Sequence, residues 1–181
     1  MPKKIKVIRK IVLLGDMAVG KTSLIRKYVL DEFSDDYITT IGTKVTNKKL
    51  NYSFPQQDKE IELSLMIWDI MGQKEFDGIP RHFEGSKGAI MVSDLTRKET
   101  LDFLPILTNK VLEINKEIPL VFVANKSDLT EQFQFNYKDI IRISGIYHAP
   151  AYITSAKTGD NVEGIFKRLG EFMLKAQILM E

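Results

Sequence analysis

The sequence predicts an α/β domain built on a six-stranded, mostly parallel sheet with helices on both faces. Short apolar runs alternate along the chain with stretches in which apolar residues recur at helical spacing. Strands that alternate with helices in this way form parallel sheets covered on both faces. The chain has 181 residues, of which 44% are hydrophobic, which is enough for one domain with a sizeable core. We therefore expect residues 1–181 to form a single domain.

The predicted elements follow one another without a repeat or a low-complexity tract. A continuous apolar run at 11–14 ends at a glycine, as is typical of a central parallel strand. Helical spacing follows at 24–29, and a hairpin over 43–54 and 60–69 supplies two more strands. The other strands are predicted at 89–92, 120–124 and 151–153, and the other helices near 100–115, near 136–144 and from about 161. Pro105 predicts that the first of these helices is kinked or starts later.

Charge and cysteine content exclude several classes of function. Twenty-six Lys+Arg against 24 Asp+Glu leave a net charge of +2, which argues against a protein that binds mainly nucleic acid. The absence of cysteine excludes disulfides, thiolate metal sites and a prenyl or palmitoyl anchor, and two histidines argue against a histidine-rich metal site. Neither a membrane-spanning run nor a signal-peptide pattern is found, so we expect a cytoplasmic protein whose contact with membranes is peripheral at most.

The start of the chain is basic. Its cationic residues are Lys3, Lys4, Lys6, Arg9 and Lys10. We interpret this segment as a solvated lead-in to the first strand, because short charge runs are usually solvated. Contact with an anionic membrane or an acidic partner is the alternative.

Residues 15–22 read G-D-M-A-V-G-K-T and match the phosphate-loop pattern G-x-x-x-x-G-K-[ST]. The loop follows the buried strand and precedes helical spacing, which is the context that this pattern requires. Its glycines let backbone N–H groups surround phosphates at a helix N-terminus. Lys21 supplies a charge for the terminal phosphates, and Thr22 supplies a hydroxyl for Mg²⁺. The loop predicts a P-loop NTPase with a nucleoside triphosphate site, and a chance glycine-rich turn is the alternative.

Two later loops are candidates for reading the base. N-K-S-D at 125–128 follows a predicted strand, at the edge where open α/β sheets hold ligands. Asp128 can accept hydrogen bonds from N1–H and the exocyclic amine of guanine, which adenine does not offer at that edge. An ordinary polar turn is the alternative. T-S-A-K at 154–157 follows the next strand, where the Ala156 N–H could donate to the guanine oxygen.

With these motifs in order, the chain resembles the Ras superfamily of small GTPases, most nearly a Rab-like or Ras-like member. The resemblance covers nearly the whole chain. It rests on five segments, at 15–22, 39–42 (T-T-I-G), 68–73 (W-D-I-M-G-Q), 125–128 and 155–157. It implies a switch that binds GTP or GDP with Mg²⁺ and slowly hydrolyses GTP, in signal transduction or vesicle trafficking. Effector, exchange-factor and activating proteins are the implied partners.

The resemblance also assigns roles to the residues near the phosphates. Thr40 matches the threonine that joins Mg²⁺ through its hydroxyl and senses the γ-phosphate through its N–H. Asp69 matches the aspartate that holds Mg²⁺ through water, and the Gly72 N–H faces the γ-phosphate. Loss of the γ-phosphate therefore releases the two segments that contain Thr40 and Gly72. Gln73 matches the residue that orients the attacking water.

The expected site therefore has three groups of residues. The catalytic residues are Gln73, Lys21 and Thr40, and the metal-binding residues are Thr22, Thr40 and Asp69. The nucleotide-binding residues are Gly15, Val19, Gly20, Lys21, Thr22, Ser23, Phe33, Thr40, Gly72, Asn125, Lys126, Asp128, Ser155, Ala156 and Lys157. By resemblance, Phe33 packs across the guanine and Tyr37 lies near the phosphates; an ordinary core contact is the alternative for Phe33. Trp68 is interpreted as core or partner surface.

Several residues depart from the family pattern. Met17 and Ala18 replace small residues of the loop, and Met71 adds a bulky apolar group beside the phosphate. These changes leave nucleotide binding intact but bear on hydrolysis, so a GTP-binding interaction module with little or no hydrolysis is the alternative function. Arg81 is the nearest candidate for an internal arginine finger, and an exposed switch-region residue is its other interpretation. A P-loop kinase would need an arginine-bearing lid, which the sequence does not indicate.

Overall fold

The computed structural model describes residues 3–35, 40, 42–55, 58–70 and 82–178. Its strands are β1 (Lys3–Leu14), β2 (Thr43–Phe54), β3 (Lys59–Ile70), β4 (Gly88–Asp94), β5 (Leu120–Asn125) and β6 (Ala151–Ile153). Its α-helices are α1 (Lys21–Leu30), α2 (Lys98–Asp102), α3 (Leu104–Ile114), α4 (Tyr137–Ile146) and α5 (Val162–Ile178), and a 3-10 helix covers Thr130–Gln132. None of the helices in these ranges is both long and apolar enough to cross a bilayer.

The six strands form one sheet in the order β2-β3-β1-β4-β5-β6. Strand β2 runs antiparallel to β3, and the other neighbouring pairs are parallel. The predicted six-stranded, mostly parallel sheet is therefore confirmed.

The central strand β1 explains why its sequence is continuously apolar. Ile11 and Leu13 enter the core beneath α1 and α5, whereas Val12 and Leu14 enter the core beneath α2, α3 and α4. All four side chains are at most 1% exposed. A strand covered on both faces has no solvent side, and so it carries no polar alternation. Helices on both faces of the sheet are confirmed.

Pro105 divides the predicted helix near 100–115 into two. Helix α2 ends at Asp102, and α3 begins at Leu104 with the proline in its first turn. A proline is tolerated there because the first turn has no intrahelical partner for its missing N–H. The sequence predicts a kink or a later start at Pro105, and the structure shows an interruption there: one helix is present from Lys98 and a second begins at Leu104.

The interpretation of the basic start as a lead-in was wrong. Strand β1 begins at Lys3 and pairs in parallel with β3 from its first residue, opposite Lys59. The basic residues therefore belong to the strand. Val7 is buried, and Ile8, which points to the other face, is 64% exposed.

The parallel strands bring four loops to one edge of the sheet. Leu14, at the end of β1, pairs with Met91 of β4, and Asp94 at the end of β4 pairs with Asn125 at the end of β5. Ile153 at the end of β6 pairs with Ala124. The segments that follow these strands lie side by side at the carboxyl edge, where open α/β sheets hold ligands.

Candidate nucleotide-binding site

A cavity of about 360 Å³ opens at this edge. The predicted nucleotide-binding residues that line it are Gly20, Lys21, Thr22, Ser23, Phe33, Thr40, Asn125, Lys126, Asp128, Ala156 and Lys157. The predicted residues Gly15, Val19 and Ser155 are not among those that line the cavity. The predicted residues Gly72 and Gln73, together with Tyr37, Met71 and Arg81, lie outside the described residues.

Gly20 ends the phosphate loop in a conformation that needs glycine. Its φ is +98°, and a Cβ at this position would collide with the amide nitrogen of Asn125. Helix α1 begins at the next residue, so the unpaired N–H groups of its first turn face the cavity from Lys21 onward. The missing side chain thus lets the base loop approach the phosphate loop.

Lys21 is folded against its own loop. Its side chain is buried, and Nζ donates to the carbonyl oxygens of Gly15 at 2.9 Å and Asp16 at 2.8 Å. Burial lowers the pKa of Lys21 to about 8, although the carboxylates of Asp69 and Asp16 act in the opposite direction. Burial deprives the ammonium of water, and phosphate oxygens in the cavity would stabilise its charged form in place of that water.

Two hydroxyls and a carboxylate meet beside Lys21. The Thr22 hydroxyl donates to Oδ2 of Asp69 at 2.6 Å, and the Thr40 hydroxyl lies 2.6 Å from the same Thr22 oxygen. Because Thr22 has already committed its proton to Asp69, Thr40 is the donor in the second contact.

The position of Asp69 is energetically unfavourable for a charged carboxylate. The residue is 2% exposed, and burial raises the pKa of its carboxyl, while the Thr22 hydrogen bond and Lys21 lower it. Its Oδ1 has no hydrogen-bond partner among the described residues. An orphaned buried carboxylate oxygen beside two hydroxyls is the donor chemistry that Mg²⁺ prefers, so these residues fit that ion.

The two base loops are joined by Asn125. Its Nδ2 donates to the Val19 carbonyl at 3.0 Å, and its Oδ1 accepts from the Thr154 hydroxyl at 3.0 Å and the Ala156 N–H at 3.3 Å. Asn125 is 1% exposed. Asn125, which belongs to the first base loop, thus ties the phosphate loop to the second base loop.

Asp128 is oriented by a neighbouring loop. The Ser155 hydroxyl donates to Oδ1 of Asp128 at 2.6 Å. Because Asp128 lines the cavity, this bond leaves its other oxygen available to a ligand on that side. Sequence reasoning placed both residues in the site, but it did not foresee that one holds the other.

Phe33 lies at the rim of the cavity. It is 37% exposed, which does not fit an ordinary core contact. The Lys157 Nζ lies 5.9 Å from the Phe33 ring centroid and 3.0 Å from the Asp35 carboxylate. The segment before Thr40 is thus linked to the second base loop by an ion pair.

Sequence reasoning missed Asp94 and Arg97. Asp94 is fully buried, and its Oδ2 lies 2.7 Å from Lys126 Nζ and 3.2 Å from Arg97 Nε. Burial alone would raise the pKa of Asp94, but hydrogen bonds from Lys126 and Thr96 outweigh it and the pKa is lowered. Arg97 Nη2 also donates to the Met17 carbonyl at 2.6 Å. Asp94 follows a predicted strand, as Asn125 does, and this position in the sequence could have indicated that it lies near the site.

Comparison with known proteins agrees with this geometry. Residues 10–175 match the model of the Ras family. The chain is 34% identical over 171 residues to Ras-related protein Rab-21 of Bos taurus, an alignment that covers 92% of this chain and 73% of that protein. It is 30% identical over 171 residues to Ras-related protein RABA4b of Arabidopsis thaliana, with 92% and 72% covered. The chain therefore belongs to the Ras family and is a Rab-like small GTPase.

Proposed function

We propose that the protein is a molecular switch that binds GTP or GDP with Mg²⁺ and hydrolyses GTP slowly. The observation that carries this proposal is the arrangement of the cavity. The buried ammonium of Lys21 lines its phosphate side, the Asp69 carboxyl with its orphaned oxygen is hydrogen-bonded to the lining residue Thr22, and Asp128 lines its base side. Triphosphate, metal and guanine would satisfy these groups together.

The phosphate side follows from the loop and the first turn of α1. Backbone N–H groups of the loop, with Gly15 and Val19 shaping it, and the first-turn residue Ser23 bind the α- and β-phosphates, and Lys21 binds the terminal phosphates. Thr22, Thr40 and Asp69 would hold Mg²⁺, which when bound neutralises part of the phosphate charge. The Thr40 and Gly72 N–H groups sense the γ-phosphate.

The base side selects guanine. Asp128, held by Ser155, accepts from N1–H and the exocyclic amine, and the Ala156 N–H, which donates to Oδ1 of Asn125 at 3.3 Å in the free protein, would donate to the guanine oxygen instead. Adenine would leave the carboxylate without donors, which is a strong basis for discrimination. Phe33 and the stems of Lys126 and Lys157 cover the faces of the base.

Hydrolysis is expected to be slow without a partner. Gln73 orients the attacking water, but the described arginines near the site are committed elsewhere. Arg26 pairs with Glu32 at 3.4 Å, and Arg97 donates to the Met17 carbonyl. Without an arginine on the γ-phosphate, the charge of the transition state is under-neutralised.

One observation favours a second candidate, a GTP-binding module with little or no hydrolysis. Met17 lines the cavity and is 38% exposed, at the loop position where the family has a small residue. A side chain of this size would obstruct an arginine supplied by an activating protein. In either case the partners are effectors and exchange factors, in signal transduction or vesicle trafficking. The protein acts from the cytoplasm with at most peripheral membrane contact.

Two measurements test the proposal. The nucleotide extracted from the purified protein should be GDP or GTP, and ATP or ADP would refute the assignment of the base side. Single-turnover hydrolysis of GTP should be measurable and should fall on Gln73→Leu. Gln132→Leu, which makes the same change at an exposed position in the 3-10 helix, is the control. Equal rates in the native chain and Gln73→Leu would remove the enzymatic assignment and leave the binding module.

A further inference from the structure

We infer that Arg97 is a positioning residue for the phosphate loop: it fixes the peptide between Met17 and Ala18 so that the Ala18 N–H points at bound phosphate. The inference rests on the proposed function, because it concerns how that site binds its nucleotide. Arg97 lies outside the cavity lining, whereas Met17 and Ala18 line the cavity. It therefore acts through the loop and not on the ligand.

Each of the three nitrogens of the Arg97 guanidinium contacts a different residue. Nη2 donates to the Met17 carbonyl at 2.6 Å, Nε lies 3.2 Å from Oδ2 of Asp94, and Nη1 lies 4.0 Å from Oδ2 of Asp16. The planar group presents its donors in a rigid fork, so the contact to Asp94 sets the direction of the contact to Met17. A lysine at this position would have a single nitrogen for the same task.

The anchor of Arg97 belongs to the rigid part of the fold. Asp94 is the last residue of β4 and is fully buried. Its Oδ1 accepts from the Thr96 N–H at 2.9 Å and the Thr96 hydroxyl at 2.7 Å. Its Oδ2 is shared by Arg97 and Lys126. One carboxylate on the central sheet thus holds both the phosphate loop and the first base loop.

The geometry of the peptide bond carries the effect into the cavity. In a trans peptide, the C=O of one residue and the N–H of the next point in opposite directions within one plane. Since Arg97 holds the Met17 carbonyl from outside the cavity, the Ala18 N–H of the same peptide is turned toward the cavity. The Met17 N–H is fixed as well, because it donates to Oδ1 of Asp16 at 2.7 Å.

This loop needs an external restraint. Ala18 has a φ of +59°, a left-handed conformation that is unfavourable for a residue with a Cβ. Rotation of the peptide before it would relieve that strain and turn the N–H away from the phosphates. Arg97 opposes the rotation with a charge-assisted hydrogen bond. Loss of this bond is expected to weaken the affinity for nucleotide by roughly tenfold or more.

The test compares the release of two fluorescent nucleotides, GDP and IDP, from the full chain with excess Mg²⁺. IDP lacks the exocyclic amine that Asp128 would bind, so the ratio of the two rates reports the base side of the cavity. In Arg97→Ala, both nucleotides should leave about tenfold faster than from the native chain, with the native GDP-to-IDP ratio. Arg97→Lys, which keeps the charge and a single donor nitrogen, should recover part of the loss.

Arg168→Ala is the matched control. Arg168 lies on α5 and pairs with Glu171 at 3.0 Å, with an exposure of 41% against 31% for Arg97. Its removal should leave both rates at native values. Native release rates in Arg97→Ala would overturn the inference, as would a changed GDP-to-IDP ratio, because Arg97 would then act on the whole site. If the native chain retained no guanine nucleotide, the proposed function would fail together with the inference; native retention with unchanged Arg97→Ala rates defeats the inference alone.

Discussion

Binding of GDP to the nucleotide-free protein is predicted to take up a proton at Lys21 above neutral pH. In the free protein, burial lowers the pKa of Lys21 to about 8. Phosphate oxygens beside the ammonium favour its charged form and therefore raise this pKa in the complex. Because the complex holds the proton more tightly than the free protein, binding is strongest below pH 8 and weakens as the pH rises through 8.

The size of the effect follows from the pKa of the free protein. At pH 8.5, Lys21 in the free protein carries its proton in about a quarter of the molecules, so binding takes up about 0.75 proton, against about 0.1 at pH 7. The affinity for GDP should accordingly fall about fourfold between pH 7 and pH 8.5. A lysine with an ordinary pKa would give almost no dependence over this range.

Isothermal titration calorimetry measures the uptake directly. GDP is titrated at pH 7 and pH 8.5 in pairs of buffers with different ionisation enthalpies, and the difference in heat gives the number of protons. Lys157→Arg, which removes another titratable lysine of the cavity but keeps its charge, should retain the uptake. An uptake near zero at pH 8.5 in the native chain, or its loss in Lys157→Arg, would refute the assignment to Lys21.

Two substitutions of glycine are expected to show how closely the elements approach each other. Gly20→Ala forces a left-handed residue with a Cβ against the Asn125 amide and should cost about 2–4 kcal/mol of unfolding free energy, measured in urea, with weaker GDP binding. Unchanged GDP affinity would contradict this. On α5, Gly170→Ala places a Cβ against the Tyr52 hydroxyl and should cost about 1–3 kcal/mol. Gly164→Ala on the same helix meets no described heavy atom within 4 Å and should stabilise by about 0.5–1 kcal/mol; equal stabilities of the two variants would count against the packing argument.

The features that the sequence alone predicts well depend on residues that are close together in the chain. The phosphate loop is contiguous, so its pattern at 15–22 placed Lys21 and Thr22 in the cavity without knowledge of the sheet. The apolar run at 11–14 identified the central strand because both of its faces are buried. Pro105 marked a helix start because its effect on the backbone does not depend on tertiary contacts.

The features that sequence reasoning missed depend on pairing between distant segments. Arg97 and Met17 are 80 residues apart, and only the pairing of β1 with β4 brings them within hydrogen-bond distance. The beginning of β1 at Lys3 was missed for a similar reason. Its alternation of basic and apolar residues is weak evidence for a strand, and the partner that makes it one is β3, more than 50 residues later.

The central position of β1 has a consequence for the synthesis of the protein. Ribosomes make β1 before both of its neighbours, and Leu13 meets its β4 partner Ile90 only after a further 75 or so residues have been added. At about 5–20 residues per second, the apolar run therefore emerges from the ribosome several seconds before the strands that bury it. Contacts so distant in sequence also make the sheet slow to assemble. Until then, residues that are fully buried in the folded protein are exposed to solvent, which makes the unfinished chain prone to aggregation.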